Sequence, residues 1–134
     1  MIVVIDASAM VDALVGNDPA PGLPAVLAEE ELHAPGLLDF EVASALRGHL
    51  LGARLEAVRA SEALEDYGAL TIERYNMTDL LADLIRLRHN FTVYDAAYIV
   101  LAQALDAPLV TVDGKLAEAR RLGVDVQLLG HRQV

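Results

Sequence analysis

The 134-residue chain is 54% hydrophobic and 22% charged, which suits a domain with a core of its own and excludes a disordered tail. It has no cysteine, so disulfide frameworks, thiolate zinc sites, iron–sulfur clusters and cysteine nucleophiles are excluded. Twenty acidic residues against ten basic ones set a formal net charge of −10, a poor balance for gripping nucleic acid by bulk electrostatics and a good one for binding cations or a basic partner.

In chain order, the first apolar run is IVVI at Ile2–Ile5, short and β-branched as a buried strand is. Helical patterns follow at Ala7–Val15 and, after the Pro- and Gly-rich loop from Gly16, at Gly22–Glu31, with Glu29–Glu31 as a solvated helix end. A weaker strand is expected at Leu32–Ala34, then helices at Leu37–Leu51 and Leu55–Tyr67, a second weak strand at Ala69–Glu73, and helices at Thr78–Arg88 and Val93–Leu105. Pro108–Val112 reads as a strand, Lys115–Leu122 as a helix and Val124–Leu129 as the last strand, with Gly52 and Gly123 as helix C-terminal glycines. Strands alternating with helices and buried on both faces predict one three-layer α/β/α domain over residues 1–134, built on a mainly parallel sheet. No apolar run reaches the roughly 18 residues of a membrane span, and the first one lacks the basic flank of a signal peptide; the expectation is a cytoplasmic protein.

In an open parallel sheet, ligands bind outside the carboxyl ends of the strands. Two strands here run into an Asp followed at once by a helix, at Asp6 (VVID-AS) and Asp113 (VTVD-GK). Asp at such a junction is also a favoured N-cap, so each residue alone fits a cap or a site. Two junctions in one short chain, with Ser8 beside Asp6, favour a site. Glu41 sits in GLLDFEVASALRGHLL, a helix apolar nearly all round and therefore expected to be central. On the helical wheel it is surrounded by Leu37, Leu38, Ser44, Ala45 and Gly48, and Arg47 lies about 120° away, poorly aimed to pair with it. A carboxylate there must be paired, protonated or bound to a cation. Asp95 opens the apolar helix in NFTVYDAAYIVLAQAL, on a face shared with Tyr98, Ile99 and Ala102. It reads equally as a site acid or as part of a capping box begun by Thr92. If Asp6, Glu41, Asp95 and Asp113 converge, their mutual repulsion calls for a hard divalent cation such as Mg²⁺ or Mn²⁺. Such an ion needs only one or two direct carboxylates and serves phosphodiester cleavage.

MIVVIDASAMVDAL, APGLLDFEVASALR, FTVYDAAYIVLAQALDAPLVTVDGKLA and RLGVDVQLL, in this order and over nearly the whole chain, resemble the PIN-domain ribonucleases, and among them the VapC toxins of prokaryotic toxin–antitoxin pairs. The resemblance implies that Asp6, Glu41, Asp95 and Asp113 are catalytic metal-binding acids, with Asp113 at the more variable of the four positions. Ser8 and Thr111 would support them. It implies Mg²⁺- or Mn²⁺-dependent endoribonuclease activity on structured tRNA or rRNA. It also implies a VapB-type antitoxin that lays its C-terminal segment over the site, and a homodimer. Arg47 occupies the family's Arg position, where substrate and structural roles are both open.

The other features have plainer readings. His33, His49, His89 and His131 share no ligand spacing. Arg86, Arg88 and His89 suit a helix C-terminus, or else contact RNA phosphate at the site entrance; Arg120 and Arg121 face the same choice. Tyr94 and Tyr98 are the few rings near Asp95 for base stacking. Two enzyme rivals fit poorly. An aspartyl phosphatase using Asp6 needs a second acid where Ser8 stands, and a receiver-type phospho-switch needs an Asp ending a middle strand. A catalytically inactive PIN-like scaffold is the non-enzymatic alternative, and metal titration separates it from the nuclease.

Overall fold

The computed structural model of the protein describes residues 1–130; His131 lies outside them. Five strands form one all-parallel sheet in the order β3-β2-β1-β4-β5. They are β1 (Ile2–Ile5), β2 (Glu31–Pro35), β3 (Ile72–Tyr75), β4 (Leu109–Thr111) and β5 (Val126–Leu128). The α-helices are α1 (Ala7–Val15), α2 (Leu23–Glu29), α3 (Leu37–Leu51), α4 (Ala57–Ala69), α5 (Leu81–Arg86) and α6 (Val93–Leu105). Helices α1, α3 and α4 pack together on one side of the sheet with α2 against α1; α6 crosses β1, β2 and β4 with α5 beside it. The result is the expected three-layer α/β/α arrangement. Strand order reverses direction between β1 and β4, and such a switch point opens a crevice at the carboxyl ends of the two strands.

The central strand is buried because IVVI offers β-branched side chains to both layers: Val3, Val4 and Ile5 have almost no exposure. Helix α6 is the innermost helix, with every residue from Ala96 to Ala102 buried. The sequence expectation gave that central place to α3, and here it fails. Helix α3 buries only Leu38, Val42 and Leu46, a stripe at four-residue spacing, and leaves Phe40 76% and Leu51 71% exposed. It packs on α1, α4 and the edge of β2, not across the middle of the sheet.

Other boundaries move for identifiable reasons. Helix α4 runs on through Gly68 and Ala69, so the strand expected at Ala69–Glu73 begins at Ile72. Partners far away in sequence draw Arg74 and Tyr75 into that strand. Arg74 grips Asp39 of α3 through Nε at 3.0 Å and Nη2 at 2.9 Å, while the Tyr67 hydroxyl donates to Asp39 at 2.6 Å. Tyr75 stacks on His33 and its hydroxyl lies 2.7 Å from Nδ1. Glu31 opens β2 and does not end a helix; Glu30 caps α2 and lies 3.4 Å from the amino-terminal ammonium. The segment Thr78–Arg88 divides into a 3₁₀ turn at Thr78–Leu80 and α5, and Gly114–Leu122 is 3₁₀ throughout, without the α-helix expected there. Gly123 ends that segment in the left-handed conformation (φ 82°) that favours glycine. After α3, Ala53 takes the left-handed place (φ 57°), whereas Gly52 stays at φ −85°.

Candidate active site at the carboxyl ends of β1 and β4

Asp6 follows β1 directly and is 4% exposed. Its carboxylate caps α1, accepting from the Ala9 amide at 2.9 Å, so the capping role weighed from the sequence is real. It does more than cap. Thr111, the last residue of β4, donates its hydroxyl to Asp6 at 2.7 Å, and Ser8 donates to the two carboxylate oxygens at 2.8 and 2.9 Å. Ser8 and Thr111 are themselves 3.2 Å apart, and the Val112 and Asp113 amides donate to their respective hydroxyls. One network thus ties the ends of β1 and β4 together across the switch point. Burial pushes the Asp6 carboxyl up to about 6, against the lowering effect of the Thr111, Ala9 and Ser8 hydrogen bonds, and the neighbouring Asp113 charge adds to the rise.

Glu41 projects from α3 and accepts the Tyr98 hydroxyl of α6 at 2.6 Å. Tyr98 is 2% exposed. Burial raises its hydroxyl far above the ordinary tyrosine range, with the Glu41 carboxylate and then Asp6 adding to the effect. The phenol is therefore a fixed donor that orients Glu41. Glu41 also shares a cavity of about 380 Å³ with Ala7, Ser8, Val11, Ser44 and Ala45, which joins it to the α1 side of the Asp6 network.

Asp95 sits in the first turn of α6. Its amide donates to the Thr92 hydroxyl at 3.1 Å, giving half of a capping box. Its carboxylate instead faces the Lys115 ammonium at 3.9 Å. Asp113 caps the 3₁₀ segment through the Lys115 amide at 3.0 Å and lies 3.6 Å from the same ammonium. Among the described residues, Lys115 is the one base paired with any of the four acids.

Asp6, Ser8, Thr111 and Asp113 therefore form one hydrogen-bonded group. Glu41, held by Tyr98, adjoins it across the shared cavity, and Asp95 joins it through Lys115. Among the described residues, no three His, Asp or Glu side chains stand close enough together to hold a metal ion between them. The donor set still fits a hard divalent cation bound through one or two carboxylates and water. All four acids offer oxygen, Asp6 and Asp113 repel each other, and an ammonium already lies between Asp95 and Asp113.

Among the described residues, no arginine pairs with any of the four acids. Arg86 pairs with Asp83 at 2.7 Å and Arg88 donates to the Ile85 carbonyl at 3.2 Å, as residues closing a helix do. Arg120 donates to the Val126 carbonyl at 2.8 Å, and Arg121 pairs with Glu118 at 3.0 Å. Arg47 is exposed on α3 and forms no ion pair among the described residues. Sequence reasoning missed Tyr98 as the partner of Glu41 and Lys115 as the partner of two acids. Lys115 left a signal, being the only lysine and two residues past Asp113.

Comparison with known proteins identifies the family and the fold. The PIN domain family model matches residues 3–122. Ribonuclease VapC1 of Mycobacterium tuberculosis is 42% identical over 128 residues, covering 94% of this chain and 96% of the relative. The VapC ribonuclease Mb0985 of Mycobacterium bovis is 38% identical over 117 residues, covering 87% and 90%. Among solved structures, PAE2754 from Pyrobaculum aerophilum superposes with a TM-score of 0.69 at 21% identity, covering 89% of this chain and 79% of that one. A PilT N-terminus domain protein, SSO1118, from Sulfolobus solfataricus P2 superposes with 0.51 at 14% identity, covering 96% and 87%. These two show a shared fold. With the family match over most of its length and relatives this similar, the chain belongs to the PIN-domain family, as a VapC-type member.

Proposed function

We propose that this protein is a metal-dependent endoribonuclease, the toxin of a type II toxin–antitoxin pair, acting on structured tRNA or rRNA in the cytoplasm. The observation that carries the reading is the Asp6 network at the switch point, with Glu41, Asp95 and Asp113 arranged around it. Asp6, Asp95, Glu41 and Asp113 are the residues that would hold Mg²⁺ or Mn²⁺. When bound, such an ion neutralises charge at the cleaved phosphodiester and lowers the pKa of the attacking water. Ser8, Thr111 and the Ala9 amide fix the Asp6 carboxylate in place, and the Tyr98 hydroxyl does the same for Glu41.

The same reading includes a VapB-type antitoxin whose basic segment meets the acidic site, and a homodimer. Exposed Phe40, Leu51 and Val58 on α3 and α4 support an apolar partner surface. Among the described residues, no helix is long and apolar enough to cross a membrane. The test is cleavage of total cellular RNA by antitoxin-free protein with Mg²⁺ or Mn²⁺, with EDTA, and with Asp95→Asn. Discrete fragments that need the ion and vanish in the variant support the nuclease. That no three acids cluster among the described residues favours one alternative, a catalytically inactive scaffold; absence of both cleavage and Mn²⁺ binding would support it.

A further inference from the structure

The contacts of Lys115 go beyond an ordinary surface ion pair. Its own amide donates to one oxygen of Asp113 while its ammonium lies 3.6 Å from the other, and the ammonium also lies 3.9 Å from Asp95 at the start of α6. A single residue thus bridges the β4 side of the site to the helix on the opposite wall. Both ammonium distances exceed a direct hydrogen bond, and the side chain is 72% exposed. The ammonium is held by the field of two carboxylates and is free to leave. Lysine suits this role, as a compact charge on a flexible four-carbon stem with donors that point in any direction. Arg86 is paired with Asp83, Arg88 with a backbone carbonyl, and Arg47 pairs with none of the four acids.

We propose that Lys115 is a tethered, displaceable cation: it occupies the Asp95–Asp113 side of the site until a divalent ion takes those carboxylates, and then turns to a phosphate of the bound RNA. The proposal rests on the nuclease reading above. It assigns one residue two effects of opposite sign, since the ammonium competes with the ion but assists the polyanion. In a chain of net charge −10, a positive group released next to the cleaved strand matters more than it would on a basic protein.

The experiment measures the Mn²⁺ dissociation constant by calorimetry, and RNA affinity and cleavage in parallel, for wild type, Lys115→Met and Lys115→Arg. Lys115→Met removes the charge and keeps the stem. It is expected to bind Mn²⁺ roughly two- to fivefold more tightly, the scale of one exposed ion pair. It is also expected to bind RNA more weakly, with the salt dependence of binding reduced by about one phosphate contact, and to cleave more slowly. Lys115→Arg should restore RNA binding. Unchanged or weaker Mn²⁺ affinity in Lys115→Met overturns the proposal, and so do unaltered RNA affinity and cleavage. A lysine that merely props the 3₁₀ segment would change the melting temperature and neither constant. If wild type binds Mn²⁺ and cleaves RNA while Lys115→Met matches it, this proposal alone fails. If wild type does neither, the nuclease reading fails with it.

Discussion

Helices α3 and α6 are alike as strings, each apolar over most of its length with acids near its start, yet the fold treats them differently. Helix α6 buries Ala96 to Ala102 without a break because it lies across β1, β2 and β4. Helix α3, beside α1 and α4, buries one stripe and turns Phe40 and Leu51 outward. Composition establishes that a helix can be buried; its place against the sheet decides how much of it is. The two helices also serve the site differently. Helix α6 brings an acid at its mouth and a phenol from its buried body, while α3 brings an acid that relies on that phenol.

The sharpest way to break this comparison is at Asp95. Asp95→Asn should abolish RNA cleavage and change the stability of the ion-free protein by no more than about 1 kcal/mol, since it gives up only the exposed Lys115 contact and a charge at the helix N-terminus. A melting temperature well below wild type would make Asp95 a structural residue of α6. Thr92→Ala, which removes the hydroxyl that accepts from the Asp95 amide, should cost about 1 kcal/mol and spare cleavage.

The next test compares the cores directly. Ile99→Ala in α6 should cost about 2–5 kcal/mol in denaturant unfolding, whereas Phe40→Ala in α3 should stay within about 0.5 kcal/mol for the monomer. A large loss at Phe40 that depends on protein concentration would show that a second chain covers α3.

Asp6 gives a pH signature. Its carboxyl rises from the ordinary 3.8 to about 6 in the folded state, so the fold retains a proton that the unfolded chain has released. That stabilisation is complete below 3.8 and is lost as the pH rises through about 6. Asp6→Asn should therefore stabilise the ion-free protein at pH 8 by about 1–3 kcal/mol, with the gain shrinking toward pH 4. Mn²⁺ should reverse the order by stabilising wild type alone. Thermal melts across that range, with and without the ion, decide it.

A further test lies at the contact between the two helices. Tyr98→Phe leaves a Glu41 oxygen without its donor, and should cost about 1–2 kcal/mol and slow cleavage. Equal cleavage in the variant would mean that Glu41 needs no help from α6.

How much of this was legible in the sequence follows the range of the interactions involved. Helices α1, α3 and α6 begin and end where their patterns do, since Asp6 and Thr92 are local caps and Gly16 and Gly52 local stops. Strand β3 was misplaced because the interactions that settle it, Arg74 with Asp39 and Tyr75 with His33, join residues 35 and 42 positions apart. The outward face of α3 leaves little periodic mark, because Phe40, Leu50 and Leu51 on it are as apolar as the buried stripe. At the site, Asp6 and Asp113 were visible as strand-to-helix junctions. The link between Tyr98 and Glu41 spans 57 residues and was not. Lys115 was counted with the charges, but its direction depends on a 3₁₀ turn that an α-helical reading conceals.

The hydrogen bond from Thr111 to Asp6 joins residues 105 positions apart, and this separation has a consequence in time. Parallel pairing between distant strands forms late, after the chain has closed the loop between them. During synthesis, β1, β2 and β3 can assemble while β4 is still inside the ribosome, leaving Asp6 without Thr111 and Asp95 without Lys115. The half-made chain thus lacks an organised site, and an activity harmful to the cell that makes it would begin only when β4 inserts beside β1.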